Sequence, residues 1–483
     1  MPTNNRSWIA YPATYRAAEM QILADWIVAG ESGSIVGLAG CGRSNLVGFL
    51  CHRADVLKRL LPEQADEVVL IPVEIYNLPA NDLSNLYRTI LHAAYWIRER
   101  FDPTLAQAIT DLYLENRAIQ DAFLSQKALY TLFLLFQRQQ LQVVLVLNRF
   151  DRFCAVATPQ MISTLRGLRD DFKGTLSYLA GMLQEAIYLP DPTALGGMYE
   201  LLDSHVCWVG ALAEADARHM LNHIVRTAAA PPSAAEVTTM LALSGRFPSL
   251  LQAVGHWWRL TPARPARLDQ WCEAMLEENS IRHRLERIWN GLTQEEKLAL
   301  SELQKSQPWD EGADMTDSTK SAPSVRSPSK PLGRVAQQQQ RLLARLAAKG
   351  LCEWGNGHWR LNSTLVATYV ASVEGRVRGK IWLDEEARAL YQGEQLLEGL
   401  TNLQYEIVRF LLLYPRIRHT RDDIIDNAWP EEEQREGITP NALQVHIASI
   451  RKKIEPNPAQ PRYLLTWHGR PGGYQFFPEG KPE

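Results

Sequence analysis

Paired cysteines are the first thing this chain lacks. Its six, at 41, 51, 154, 207, 272 and 352, show none of the spacings that disulfide frameworks or zinc sites use, so they read as reduced, mostly buried thiols. Long apolar runs are missing too. The stretch 141–147 is one of the longest and is far too short to cross a bilayer. No basic start followed by an apolar core stands at the N-terminus, so a cytoplasmic protein with no membrane contact is expected. A surplus of either charge is also absent. With 51 Lys and Arg against 54 Asp and Glu, the formal net charge is −3. That excludes a protein that coats nucleic acid through bulk positive charge, so any DNA binding must come from a local patch. Segment 306–333 has few large apolar groups among its Ser, Pro, Asp and Lys, which predicts disorder. The remainder of the 483 residues is long enough for three or four domains, each with its own core.

The last hundred residues are the most informative. Leu443, Ile447, Ile450 and Ile454 recur at spacings of four, three and four, so they share one helical stripe that has to be buried. Thr439 suits the N-cap of that helix, Pro440 its first position, and Ile438 can pack on Leu443 as a staple. The opposite face carries Asn441, Gln444, Val445, Ala448 and Lys452, flanked by Ser449 and Arg451. Amides can pair with base edges, small apolar groups can touch thymine methyls, and cations can meet phosphates. Upstream, Thr401 and Gln404 form a capping box behind Leu400. Downstream, 463–467 reads as a strand, Gly469, Gly472 and Gly473 supply a turn, and 474–477 returns. Arg462, His468 and Arg470 add basic character to this hairpin.

Helix, second helix, hairpin is the order of a winged helix. Residues 380–478 resemble the winged-helix output domain of the OmpR type found in response regulators. The residues carrying the resemblance are Leu400, Thr401 and Glu406, then Val445, His446, Ile447, Ile450, Arg451, Lys452 and Lys453, then Thr466, Gly469, Gly473 and Tyr474. The resemblance implies a four-stranded N-terminal sheet over about 381–398, a three-helix core, and insertion of the 439–454 helix into the major groove of double-stranded DNA. The implied contact set is Asn441, Gln444, Val445, His446, Ala448, Ser449, Arg451, Lys452, Lys453, His468 and Arg470. Members of that family often carry arginine where this chain has Ala448 and Ser449, and Arg470-Pro471 looks like an insertion in the wing. A winged helix used only for protein contacts is the alternative.

The N-terminal half carries a second signal. A short apolar strand at 34–38 runs into Gly37-Leu38-Ala39-Gly40-Cys41-Gly42-Arg43-Ser44 and then a helical stretch, which is the P-loop spacing with arginine in place of lysine. Glycines are needed there because successive backbone N–H groups curl around phosphate oxygens. Ser44 is the residue expected to meet Mg²⁺, and Arg43 to neutralise phosphate with a longer, planar head than an ammonium. A second strand, 142–147, should deliver a carboxylate to the metal, but Asn148 stands at that position and Arg149 where many such ATPases keep a glutamate. Asp151 can compensate in part. These departures predict, at most, slow ATP hydrolysis.

Strands at 68–75 and 176–182, with helices at 83–99, 105–140 and 158–171, complete an alternating α/β pattern. Residues from about 11 to 260 resemble AAA+ ATPases of the origin-recognition-like and STAND branch. The resemblance implies a helical lid in which Gly245 and Pro248 sit against ATP or ADP. In it, Tyr15, Arg16 and Glu19 resemble a segment near the adenine, and Arg166, Arg169 and Arg246 are candidates for sensing a γ-phosphate or for ordinary ion pairs. Between lid and tail, Leu292-Thr293-Gln294-Glu295-Glu296 opens a helix, 341–350 forms another, and 351–354 pairs with 358–361, which looks like a second winged helix without a basic face.

The expected architecture is a three-layer α/β P-loop NTPase core over 1–200, a helical lid over 201–279, a winged-helix-like domain over 280–375 with its insert, and an OmpR-type domain over 376–483. The expected function is a transcriptional regulator in which nucleotide state frees the recognition helix or promotes homo-oligomers. An active ATPase tethered to DNA by its winged helix, or a scaffold without either activity, are the rival readings.

Overall fold

The computed structural model describes residues 10–189, 191–228, 230–261, 264–306, 334–355, 357–373, 379–385, 387–393, 395–429, 440–455, 461–468 and 471–481. The predicted disorder of 306–333 therefore falls almost wholly outside the described residues, as do Ile438, Thr439, Gly469 and Arg470. The chain packs as two compact units, Met1–Ala367 and Thr368–Glu483.

In the first unit, five strands form one parallel sheet: β1 (Gly33–Val36), β2 (Val68–Val73), β3 (Gln142–Leu147), β4 (Leu176–Met182) and β5 (Val206–Trp208), in the order β2-β3-β4-β1-β5. Every residue of β1 and β4 is buried, as expected for strands covered by helices on both faces. That is why the strands are mostly apolar, the buried Ser34 and Ser177 being exceptions. Between β2 and β3 the helices Leu83–Trp96, Pro103–Asn116 and Ala122–Arg138 start where Asp82, Asp102 and Asp121 each accept a backbone N–H, the usual way to satisfy a first helical turn. Their inner faces join the sheet in one core around Phe133, Phe136 and Phe150. Strand order and phosphate loop together make this a three-layer α/β core of the P-loop NTPase fold.

The lid helices Glu214–Val225, Ala234–Ser244 and Pro248–Leu260 follow β5. Then come helices Asn279–Asn290, Gln294–Ser306 and Arg334–Ala348, and a hairpin of β6 (Cys352–Gly355) and β7 (His358–Leu361). Helix Gln294–Ser306 begins at the expected cap, with Thr293 N–H donating to Glu296 and Glu296 N–H donating to Thr293. This segment belongs to the same unit as the ATPase core. Lys349 and Glu296, both fully buried, pair at 2.6 Å, and Arg345 reaches Glu185 beyond β4 at 3.0 Å.

The second unit opens with β8 (Ile381–Asp384), β9 (Ala389–Gln392) and β10 (Gln395–Leu396), an antiparallel sheet of three strands among the described residues rather than the four the resemblance implied. After β10 the chain turns at Gly399 (φ +73°) directly into the Thr401 cap. Helix Asn402–Leu413, β11 (Arg418–Thr420), helix Arg421–Ala428 and helix Pro440–Ile454 precede β12 (Leu464–Trp467) and β13 (Gly473–Phe476), which pair in the order β11-β13-β12. Leu443, Ile447, Ile450 and Ile454 are at most 1% exposed and join Ile407, Leu411, Ile424 and Phe476 in this unit's own core.

Candidate functional site

A cleft of about 950 Å³ opens between the phosphate loop and the lid. Gly37 lies beneath it, donating its N–H to the carbonyl of Met182 at 3.1 Å. Gly40 and Gly42 take φ of +90° and +88°, a backbone region open to glycine at little cost. Helix Arg43–His52 then begins, and the N–H groups of Arg43 and Ser44 in its first turn point where an anion is favoured. The lid closes over this loop: Ser249 donates its N–H to the Gly40 carbonyl at 3.0 Å, and Pro248 stands over Gly42.

Arg43 is only 8% exposed, and its Nε and Nη1 make no hydrogen bond in the described structure. Burial lowers its pKa from the ordinary arginine value. Gly181 of β4 lies beside it, since a Cβ there would be in ordinary contact with Arg43 Nε at 3.5 Å and with Asn148 Oδ1 at 3.4 Å. Asn148 Oδ1 and Asp151 Oδ1 are buried and equally unpartnered, while Asp151 Oδ2 accepts the Leu183 N–H at 3.4 Å. Arg43 Nε and Nη1, Asn148 Oδ1 and Asp151 Oδ1 are thus buried atoms that find no hydrogen-bond partner among the described residues. Such groups are costly unless something satisfies them.

The lining is otherwise strongly basic. Arg149, Arg152, Arg226, Arg259, Arg287, His219, His223 and His256 surround the single carboxylate of Asp151. Burial first, then Arg226 and His219, lowers the pKa of His223; burial, Arg259 and Arg284 do the same at His256, whose Nδ1 lies 3.1 Å from Arg259 Nη2.

Of the residues singled out in the sequence, Gly40, Gly42, Arg43, Ser44, Asp151 and Pro248 line this cleft, with Gly37 and Asn148 supporting it. Gly245 does not line it. It ends helix Ala234–Ser244 at φ +56° and faces Asn362 and Ser363, where a Cβ would come within 2.6 Å of the Ser363 Cβ. Arg246 pairs with Glu353 at 3.1 Å and Arg166 with Asp170 at 2.8 Å, so both are ion-paired outside the cleft lining. The lid cations were not singled out in the sequence. The spacing of His219 and His223, and of His256 and Arg259, along two helices was the available signal. Arg16 has a larger role than its segment suggested: at 2% exposure it donates to the carbonyls of Cys41 at 2.7 Å and Gly210 at 2.9 Å, clamping the phosphate loop.

The second site is the outer face of helix Pro440–Ile454. Gln444, Val445, Ala448 and Lys452 are exposed, Val445 at 67%. Asn441 belongs to the helix, though its side chain is outside the described set. The flanking residues are braced. Arg451 donates to the Leu464 carbonyl and to Thr466 Oγ1, both at 2.8 Å, tying the helix to β12, and burial lowers its pKa. Lys453 donates to the Gly399 carbonyl and to Gln404 Oε1, and Ser449 accepts from Gln404 Nε2 at 3.0 Å. His446 packs edge-on against Trp429. Glu455, 1% exposed, accepts the N–H groups of Arg462, Tyr463 and Leu464 at 2.7–2.9 Å, which fixes the start of the wing against the helix end. His468 stands exposed on the wing. Lys452 is therefore the basic residue of the 451–453 run that is presented to solvent.

Residues 395–476 match the family described as "Transcriptional regulatory protein, C terminal", and the second unit is a winged-helix domain of that OmpR type. Over 92 residues the chain is 34% identical to a transcriptional regulatory protein of Picosynechococcus, covering 19% of this chain and 34% of the relative. It is 31% identical over 94 residues to the alkaline phosphatase synthesis transcriptional regulatory protein SphR of Synechococcus elongatus, covering 20% and 35%. The chain thus spans about a third of the length of these relatives. Among solved structures it is similar to the Orc1 protein of Aeropyrum pernix in complex with DNA (14% identical, 74% of this chain and 92% of that one, TM-score 0.33). A Walker-type ATPase of Pyrococcus abyssi matches comparably (12% identical, 74% and 95%, TM-score 0.41). Among the described residues no helix is long and apolar enough to cross a membrane.

Proposed function

We propose that this protein is a DNA-binding transcriptional regulator whose P-loop module binds a nucleotide and thereby governs its C-terminal winged helix. The observation that carries the first half is the exposed row Gln444, Val445, Ala448 and Lys452 on a helix whose other side is fully buried. Gln444 can hydrogen-bond an adenine edge, Val445 and Ala448 can meet thymine methyls, and Lys452 can pair with a phosphate. Braced by Arg451 and Glu455, the helix and wing present these groups as one rigid surface. Selection of bound duplexes from a random pool tests this. A recovered motif whose bases depend on Gln444 and Val445 is the expected outcome, and an unenriched pool would sink it.

For the nucleotide, the fit rests on Arg43, whose buried guanidinium lacks a protein partner, and on the loop amides beside it. Gly40 to Ser44 would cradle the phosphates, the lid cations Arg226 and Arg259 would face them, and the nucleotide would supply concentrated negative charge that draws lid and loop together. Mg²⁺ fits less well. Asp151 is the one carboxylate in the lining and is already engaged by the Leu183 N–H, and Asn148 offers a weaker amide oxygen. A fast motor is disfavoured on the same grounds. Turnover that rises with DNA and vanishes in Ser44→Ala would reverse that judgement. Homo-oligomer formation on nucleotide binding is a further part of the proposal, to be read from light scattering with and without nucleotide.

A further inference from the structure

At the end of β3, where the sequence expects a metal-binding carboxylate, this chain has Asn148 with a guanidinium close by. Arg43 runs over Gly181 to the neighbourhood of Asn148, is more than nine-tenths buried, and leaves Nε and Nη1 free of any bond among the described residues. A planar guanidinium carries a full charge and two adjacent donors that match two phosphate oxygens, which an ammonium cannot do. Close by, Asn148 replaces the carboxylate that would hold the metal, and Asp151 has one oxygen occupied. Around them Arg149, Arg152 and Arg259 supply further positive charge to the same cleft. The electrostatic need that a divalent cation ordinarily meets, neutralising a polyphosphate in a partly buried site, is already met by side chains.

We infer that Arg43 substitutes for the divalent cation, so that this cleft binds nucleoside di- and triphosphates without Mg²⁺. The inference rests on the nucleotide-binding reading above and goes further by removing the metal from it. Asp151 then acts as a local brake on anion binding instead of a metal ligand.

Calorimetric titration of the full chain with ADP and with ATP, in EDTA and in excess Mg²⁺, tests this. The expected dissociation constants agree within about threefold between the two conditions, Arg43→Ala weakens binding by about tenfold or more, and Asp151→Asn binds as tightly as the parent or more so. Binding that appears only with Mg²⁺ and is lost in Asp151→Asn would overturn the inference while leaving the nucleotide reading in place. Absence of binding in both conditions, with a normal melting transition, would overturn both.

Discussion

Among three consecutive basic residues, Arg451, Lys452 and Lys453, only the middle one is turned outward, and this decides what each substitution does. Lys452→Ala is expected to weaken DNA binding alike for all sequences and to reduce the slope of affinity against salt by about one, as loss of a single phosphate contact does. Arg451→Ala is expected to lower stability by about 1–3 kcal/mol, because the Leu464 carbonyl and Thr466 hydroxyl lose a charged donor; thermal melting distinguishes it from Lys452→Ala, which should melt as the parent does. At the cleft, burial and neighbouring cations lower the pKa values of His223 and His256, which favours their neutral forms. Acidification below the ordinary histidine range protonates them, adds positive charge beside the phosphate loop, and is expected to tighten nucleotide binding, with proton uptake on binding. An affinity that falls over that range would contradict the placement. The buried stripe of the recognition helix was legible from spacing alone. The inward turn of Arg451 and Lys453 was not, because their acceptors lie on β12 and at the start of helix Asn402–Leu413, far along the chain.

Elements were readable where their signals are local. The capping box of Thr401 and Gln404 and that of Thr293 and Glu296 both form as read, since each involves residues three apart. The phosphate loop was likewise visible because glycine spacing is a local requirement. The lid was harder: its wall of the cleft is assembled from helices Glu214–Val225 and Pro248–Leu260, and the spacing of their cations marks a shared face without showing what that face meets. Glu236, in the first turn of helix Ala234–Ser244, ties that helix to Pro248–Leu260. Burial alone would push its carboxyl up, but donors from Trp258 at 3.0 Å, Ser233 N–H at 2.7 Å and Arg264 at 3.2 Å hold it down at about 2. A carboxyl so depressed adds stability that is fully present above its unfolded value of about 4.5 and fades as pH drops towards 2. Glu236→Gln is therefore expected to cost roughly 1–2 kcal/mol at pH 7, after allowance for solvent screening, and progressively less between pH 4.5 and 2. Paired melts of variant and parent across that range give the check, and a pH-independent difference would contradict it.

At the scale of the whole molecule, the protein joins two units with separate cores, one carrying the phosphate loop and its cleft and the other the winged helix. The sequence revealed both units through independent signals, yet a coupling between them has no local signature to read. Coupling between two ligand sites is a free energy, typically about 1–3 kcal/mol, and it acts in both directions. The most direct measurement is a fluorescence anisotropy titration of a selected duplex with the full chain, saturated with ADP or ATP and without either. A shift in DNA affinity of about fivefold or more, or a changed stoichiometry, is the predicted result. Identical affinity and stoichiometry in every nucleotide state would contradict the account.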